Sequence, residues 1–399
     1  MFQPFWVVPA LWCVGALLAG IVLPEVDEAL AEYVPLLFQA GTDGARTFLS
    51  AIAGAMISIT GLVFSITIVV LQLASSQFSP RVLRTYLNQR VPQFTLGVFA
   101  ASFIYALTVL RAVSASSSAG QASVPQIAVT VSFLLVLASV GMFLAFIHHI
   151  TQSISVDTII NTVGKEVMGL LKRSDASRTS SQTQDPGPLP SMGLPTVVGT
   201  ASSGYLTNLN HSALVALGAE HDVRIEVLYP LGTYLVQGTP VVTVHGGGDH
   251  TGTDWSGAVH GKVDVSWRRT TEQDPTFGLR QLVDIAERAL SPGVNDPTTA
   301  VQVLNELHIV LTSIAKNDDV YPVHQDENDV VRLVTSEWSF EQYLSLCIDE
   351  IAHWGVSGLQ IPCRIDEILS DLAVGATEPH RKTIEAKRVE VAQRVRGSS

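Results

Sequence analysis

Seven small or polar residues, Gly54, Ser58, Gly61, Ser65, Gln72, Ser76 and Ser79, recur through one long apolar stretch of the chain. At 100° per residue they fall within about a 60° sector of a helix, while Leu62, Phe64, Ile66 and Val70 lie largely away from it. Two chemistries suit such a stripe. It can line a neutral, hydroxyl-rich hydrated pathway, or it can be a close helix contact, because Gly54 with Ser58 and Gly61 with Ser65 are small pairs four residues apart. Gln72 leans toward water or a polar partner, since an amide in hydrocarbon needs one. Just beyond, Arg81 and Arg84 can anchor the topology or form a collar for an anionic headgroup.

A second constellation lies far along the chain. Arg280, Asp284 and Arg288 follow at intervals of four on one helix face, Asn295 and Asp296 sit in the turn after it, and Arg268 and Arg269 precede it. Together they are candidates for a ligand or subunit-interface site, with the two leading arginines completing an anion pocket. Their plainer reading is a ladder of solvated ion pairs and a helix cap. His245, His250 and His260 are weak metal candidates, because they lack the spacing of a helical metal motif, and the glycines after His245 lack the phosphate-loop pattern. His148 and His149 are a possible pH-sensitive pair or an interfacial polar cap. Nothing pairs a nucleophile with a base or marks a nucleotide loop, so no catalytic residue and no cofactor are expected.

These residues need elements to hold them. At 47% apolar and 15% charged, the chain is too greasy for an ordinary soluble protein. Four runs, about residues 5–23, 48–73, 94–113 and 124–150, each reach the roughly 20 residues that a bilayer core requires. Between Arg46 and Arg81 there is no formal charge, a stretch that as helix would run about 50 Å, so the second span must tilt or protrude. Residues 1–150 balance Glu25, Asp27, Glu28, Glu32 and Asp43 against Arg46, Arg81, Arg84, Arg90 and Arg111, so the whole net charge of −12 falls later.

The loop charges set the orientation. The first short loop is acidic and the second carries Arg81, Arg84 and Arg90, which puts both termini in the cytoplasm. With no ionisable group expected at membrane depth, ion-coupled pumping is the least favoured transport mechanism. A nucleic-acid surface is excluded by the acidic balance. Cys13, Cys347 and Cys363 offer neither a disulfide framework nor a metal spacing.

Beyond the spans, residues 151–173 read as a helical extension of the fourth, and residues 174–195 as a Pro-rich linker. Residues 196–265 alternate like short strands and form a small β module. Gly232-x-x-x-Val236-x-Gly238-x-Pro240 resembles the turn of biotinyl and lipoyl carriers, but no Lys lies between Lys172 and Lys262 to accept a cofactor. Residues 266–375 form a helical domain. Asp274-Pro275 and Asp296-Pro297 each start a helix of a hairpin, and Ser339 to Gln342 is a capping box. Residues 376–399 are a basic tail able to touch anionic lipid.

The run SITGLVFSITIVVLQLASSQFSPRVL (Ser58–Leu83), the run RRTTEQDPTFGLRQLVDIAERALSPGVNDPTTA (Arg268–Ala300) and the four-span layout resemble the bacterial predicted-membrane-protein family called domain of unknown function 2254. The resemblance implies a multi-spanning inner-membrane protein and carries over no catalytic residue. The expected architecture is an α-helical integral membrane protein with four transmembrane helices and an α+β cytoplasmic region, made of a barrel-sandwich-like β module and a helical domain. The expected function is an oligomeric, channel-like conduit with a cytoplasmic regulatory region, and the alternative is a non-conducting scaffold or sensor. Expected partners are the lipid bilayer, further copies of the chain, and a cytoplasmic protein or small molecule.

Overall fold

A computed structural model describes residues 6–30, 41–77, 90–118, 124–153, 155–177, 195–246, 253–271, 273–319 and 322–397. The chain divides after Thr158 into two compact units. The first holds α1 (Val7–Leu30), α2 (Thr42–Gln77), α3 (Arg90–Ser118) and α4 (Gln126–Ser153). Each contains a segment long and apolar enough to cross a bilayer: Val7–Asp27, Thr42–Val70, Arg90–Val113 and Gln126–Thr151.

Helix α3 is the centre of this unit and packs against the other three. Its approach to α1 depends on glycine. A Cβ on Gly20 would come 2.9 Å from Thr108, and one on Gly97 would come 2.9 Å from the Trp12 ring. Helix α2 turns Leu49, Ile52, Met56 and Val63 inward. Several polar side chains inside the unit are satisfied within a helix or by a neighbouring one. Ser102 and Thr108 donate to the carbonyls four residues back, Ser102 and Ser139 pair at 3.1 Å, and the Tyr105 hydroxyl donates to the Ala128 carbonyl.

Asp27, which the sequence offers only as a loop acid, has a specific task. Helix α1 continues through Pro24 and buries this carboxylate, which accepts hydrogen bonds from the Gln126 and Ile127 N–H groups at 2.8 and 2.7 Å. Those donors open α4 and have no partner within their own helix. One span therefore caps another.

The second unit begins in α5 (Val156–Ser177), an element separate from α4, with Ile154 between them outside the described residues. A five-stranded sheet follows the order β1 (Thr196–Gly199), β5 (Pro240–His245), β3 (Arg224–Val227), β8 (Val331–Val334), β7 (Val323–Gln325), and a three-stranded sheet the order β4 (Tyr234–Leu235), β2 (Gly204–Leu209), β6 (Val263–Ser266). Leu206, Leu214, Ile225, Val242 and Leu333 are fully buried in their shared core, beside α6 (His211–Glu220) and α7 (Trp255–His260). The strand and helix segments anticipated for residues 204–244 are present, but the sheet reaches beyond residue 265. β8 pairs in parallel with β3, Ile225 opposite Leu333, so residues 323–334 belong to the sheet although they follow two helices of the helical domain.

Those helices are α8 (Pro275–Leu290) and α9 (Pro297–Ala315), followed by α10 (Phe340–Gly355), α11 (Gln360–Gly375) and α12 (Glu378–Gly397). Their starts follow the local signals. Asp274 and Asp296 accept backbone hydrogen bonds from Phe277 and Thr299, each with proline at the first helical position, and Ser339 with Gln342 forms the capping box. The basic tail is a helix that buries Ile384 and pairs several of its cations within the unit, Lys387 with Asp349 and Glu390, Arg388 with Asp366, and Arg381 with Glu378.

Helix α5 lies on α8 with Val163 and Val167 buried. A Cβ on Gly278 would stand 2.3 Å from Val167 Cγ2. Gly278→Ala gains about 1 kcal/mol of helix propensity, but overpacking typically costs about 1–3 kcal/mol, so the variant should melt several degrees lower, and Val167→Ala on top of it should recover part of the loss. Thermal unfolding followed by circular dichroism measures both, and a Gly278→Ala chain melting at or above wild type would contradict this packing.

Candidate functional site

The parallel strands β3 and β8 finish side by side, and beyond their carboxyl ends the second unit has an open cavity of about 850 Å³. Such strand ends are where open α/β sheets leave room for ligands. Glu226 to Leu228 follow from β3 and Val334 to Ser339 from β8. The start of α8 and the last turn of α9 through Asp319 add further walls, with Leu171 and Arg173 from α5. Within it, Trp338 is oriented by its indole N–H donating to the Leu231 carbonyl at 3.3 Å, and its ring centroid lies 6.1 Å from that of Tyr343. His211 stacks on His324 at 4.6 Å. Burial pushes both imidazoles below their ordinary range, His324 to about 4, so both are neutral at pH 7.

One wall rests on a buried ion pair. Asp274 is 1% exposed, accepts from Arg269 at 2.7 and 2.9 Å, and also takes the Thr276 hydroxyl at 2.6 Å. Gly232, at φ +86°, seats the turn before β4 directly on this pair. A Cβ there would lie 2.5 Å from both Arg269 Nη2 and Asp274 Oδ2. Arg269 is thus committed to Asp274, while Arg268 lies 3.7 Å over the Trp267 ring. The two arginines do not converge on an anion pocket.

The remaining candidates of that constellation also divide. Asn295 takes a left-handed turn conformation at φ 49°, and Asp296 caps α9, its carboxyl held below the usual range by the Thr299 hydroxyl and N–H. Arg280 pairs with Asp284 at 2.8 Å, as the spacing implies, but its further partners are Glu287 at 3.2 Å and Glu350 of α10. Neither acid was visible as a partner in the sequence. Glu287 is off the four-residue spacing, and Glu350 comes from another helix.

Three carboxylates around one guanidinium leave Glu287 short of compensation. Burial first, then its hydrogen bond and proximity to Glu350, push its carboxyl up to about 7, against the opposing pull of Arg280. The folded state therefore holds this proton to higher pH than the unfolded chain, whose carboxyl titrates near 4.5. Its stabilising contribution is full below that value and falls as pH rises toward 7. Glu287→Gln, uncharged throughout, should lack this decline, so the difference in thermal midpoint between variant and wild type should grow in the variant's favour from pH 5 to pH 7.5. A difference that is constant across that range would contradict the assignment.

In the membrane unit, Gly54, Ser58, Gly61, Ser65 and Gln72 share the exposed side of α2. A Cβ on Gly54 or Gly61 would meet nothing within 4 Å. Ser58 and Ser65 donate to the Gly54 and Gly61 carbonyls at 2.9 Å, so their hydrogens are used within the helix. The stripe is therefore not a close contact with another described helix of its own chain. Ser76 belongs to α2, its side chain lying outside the described residues together with Ser79, Arg81 and Arg84. His245 bonds Glu226 at 2.9 Å and His260 faces the Gly199 carbonyl at 2.9 Å, while His250 is outside the described residues. Among the described residues no three His, Cys, Asp or Glu side chains gather for a metal.

Comparison with known proteins agrees with this architecture. The family described as predicted membrane protein (DUF2254) matches residues 3–371. Uncharacterized proteins of Mycobacterium bovis and Mycobacterium tuberculosis are 31% identical over 399 residues, covering 98% of this chain and 76% of their own length. No solved structure matches the chain. With four candidate spans and a match over nearly its whole length, the chain belongs to the DUF2254 family of predicted membrane proteins.

Proposed function

We propose that this membrane protein is a homo-oligomeric, channel-like conduit of the bacterial inner membrane, with both termini and the second unit on the cytoplasmic side. The observation that carries the reading is the open face of α2. Its other side is packed on α3, while Gly54, Ser58, Gly61, Ser65 and Gln72 are exposed and Gly54 and Gly61 border open space. Satisfied hydroxyls at span depth still offer acceptor lone pairs to water or a solute. The Arg-bearing second loop and acidic first loop support the orientation. Copies arranged about a closed axis would turn α2 toward one another. The second unit, with its cavity, is the regulatory region of this reading.

A second reading is favoured by a specific feature. The stripe is narrow, and Ile57, Phe64 and Ile68 flank it on one side and Leu62 and Val69 on the other, all exposed. Apolar ridges around a groove of small residues also suit a dry helix contact between copies, as in a non-conducting scaffold or sensor.

One experiment separates the two. In a chain with Cys13 and Cys363 replaced by Ala, Ser65→Cys is reconstituted in lipid vesicles and exposed to a bifunctional crosslinker and to a charged, membrane-impermeant thiol reagent. The conduit predicts both crosslinked copies and modification by the charged reagent. Crosslinking with protection from the reagent would replace the conduit by the dry interface, and absence of crosslinking would overturn the oligomeric reading altogether.

A further inference from the structure

We infer that the cavity at the carboxyl ends of β3 and β8 is a binding site for a small organic cation carrying an apolar arm. This inference is independent of whether α2 lines a pathway. It begins with size: about 850 Å³ lies within the range of sites that enclose drug-sized ligands. Charge then selects the class. Asp318, Asp319 and Glu337 join Glu226 and Asp274 on the wall, where Arg173 is the cation among the described lining residues. Arg173 is turned back on its own helix, its Nε donating to the Gly169 carbonyl at 3.1 Å. The negative charge of Asp274 is answered by Arg269 and by the positive end of the α8 dipole, which it caps. The last turn of α9 adds the negative end of a second dipole to the same wall.

The rest of the lining adds aromatic and apolar surface. Trp338 and Tyr343, tilted by 45°, stand beside the carboxylates, a combination that attracts ammonium groups through ring faces as well as charge. Leu209, Val227 and Leu231 supply the surface against which an uncharged arm can lose water. A concavity whose lining is dominated by one sign of charge concentrates the opposite sign. An anion of the same shape meets five carboxylates against the single guanidinium of Arg173 among the described lining residues.

Three probes on one scaffold test this: benzyltrimethylammonium, benzyl alcohol and benzylsulfonate, titrated by calorimetry into the full chain in nanodiscs of uncharged-headgroup lipid. The expected result is saturable binding of one cation per chain, weaker binding of the alcohol and none of the sulfonate. Asp318→Asn with Glu337→Gln, both at exposed positions, should weaken the cation by about tenfold or more. Arg173→Gln should strengthen it, a gain that loss of folding cannot imitate. An equal or reversed order among the three probes, failure of the cation to saturate at millimolar concentration, or indifference to both sets of substitutions would overturn the assignment.

Discussion

The buried pair of Asp274 and Arg269 is the constraint on which the second unit is organised. A carboxylate at 1% exposure is tolerable only with a cation and hydrogen-bond donors around it, and Asp274 has Arg269, the Thr276 hydroxyl and the Phe277 N–H. Each contact fixes a different piece. The Phe277 bond starts α8, the Arg269 bond ties that start to the segment leaving β6, and the closeness of Gly232 sets the turn before β4 upon the pair. Strand, turn and helix are thus registered against one another at the rim of the cavity. Replacing Asp274 would remove a helix cap and the carboxylate beside a largely buried guanidinium together.

The membrane unit solves the opposite problem. Hydrocarbon offers backbone and hydroxyl groups no water, so each must find a partner nearby. Ser58, Ser65 and Thr67 all donate to the carbonyl four residues earlier. Asp27 answers the N–H groups that open α4. Because these bonds are local, the polar stripe of α2 makes no demand on α1, α3 or α4, and that independence is what leaves its face available outside the chain. Close approach inside the unit uses other small residues, Gly20 and Gly97, at the contact of α1 with α3.

What was legible in the sequence is what local physics determines. Apolar length marks the four spans, and Asp-Pro pairs and the Ser339 box mark three helix starts to the residue. What was not legible depends on segments distant in the chain. The parallel pairing of Ile225 with Leu333 crosses the hairpin of α8 and α9, so the β module could not be bounded by following residues in order. Asp318, Glu337 and Trp338 read locally as a helix end and a loop, and only the return of β8 to β3 turns them into cavity wall. The basic residues of α12 announce their charge, but not Asp349 and Asp366, acids from other helices that pair with Lys387 and Arg388. Arg280 shows the same limit in miniature: the four-residue spacing finds Asp284 and misses Glu350.

The two units meet different requirements with the same economy of charge, neutral where lipid is the solvent and acidic where a cation can be held. Conductance across a planar lipid bilayer containing the purified full chain tests the conduit most directly. The account predicts discrete current steps above those of lipid alone, lost or strongly reduced when Ser65→Leu places a large apolar side chain on the open face of α2. An incorporated oligomer that passes no current, or steps unchanged by Ser65→Leu, would contradict it.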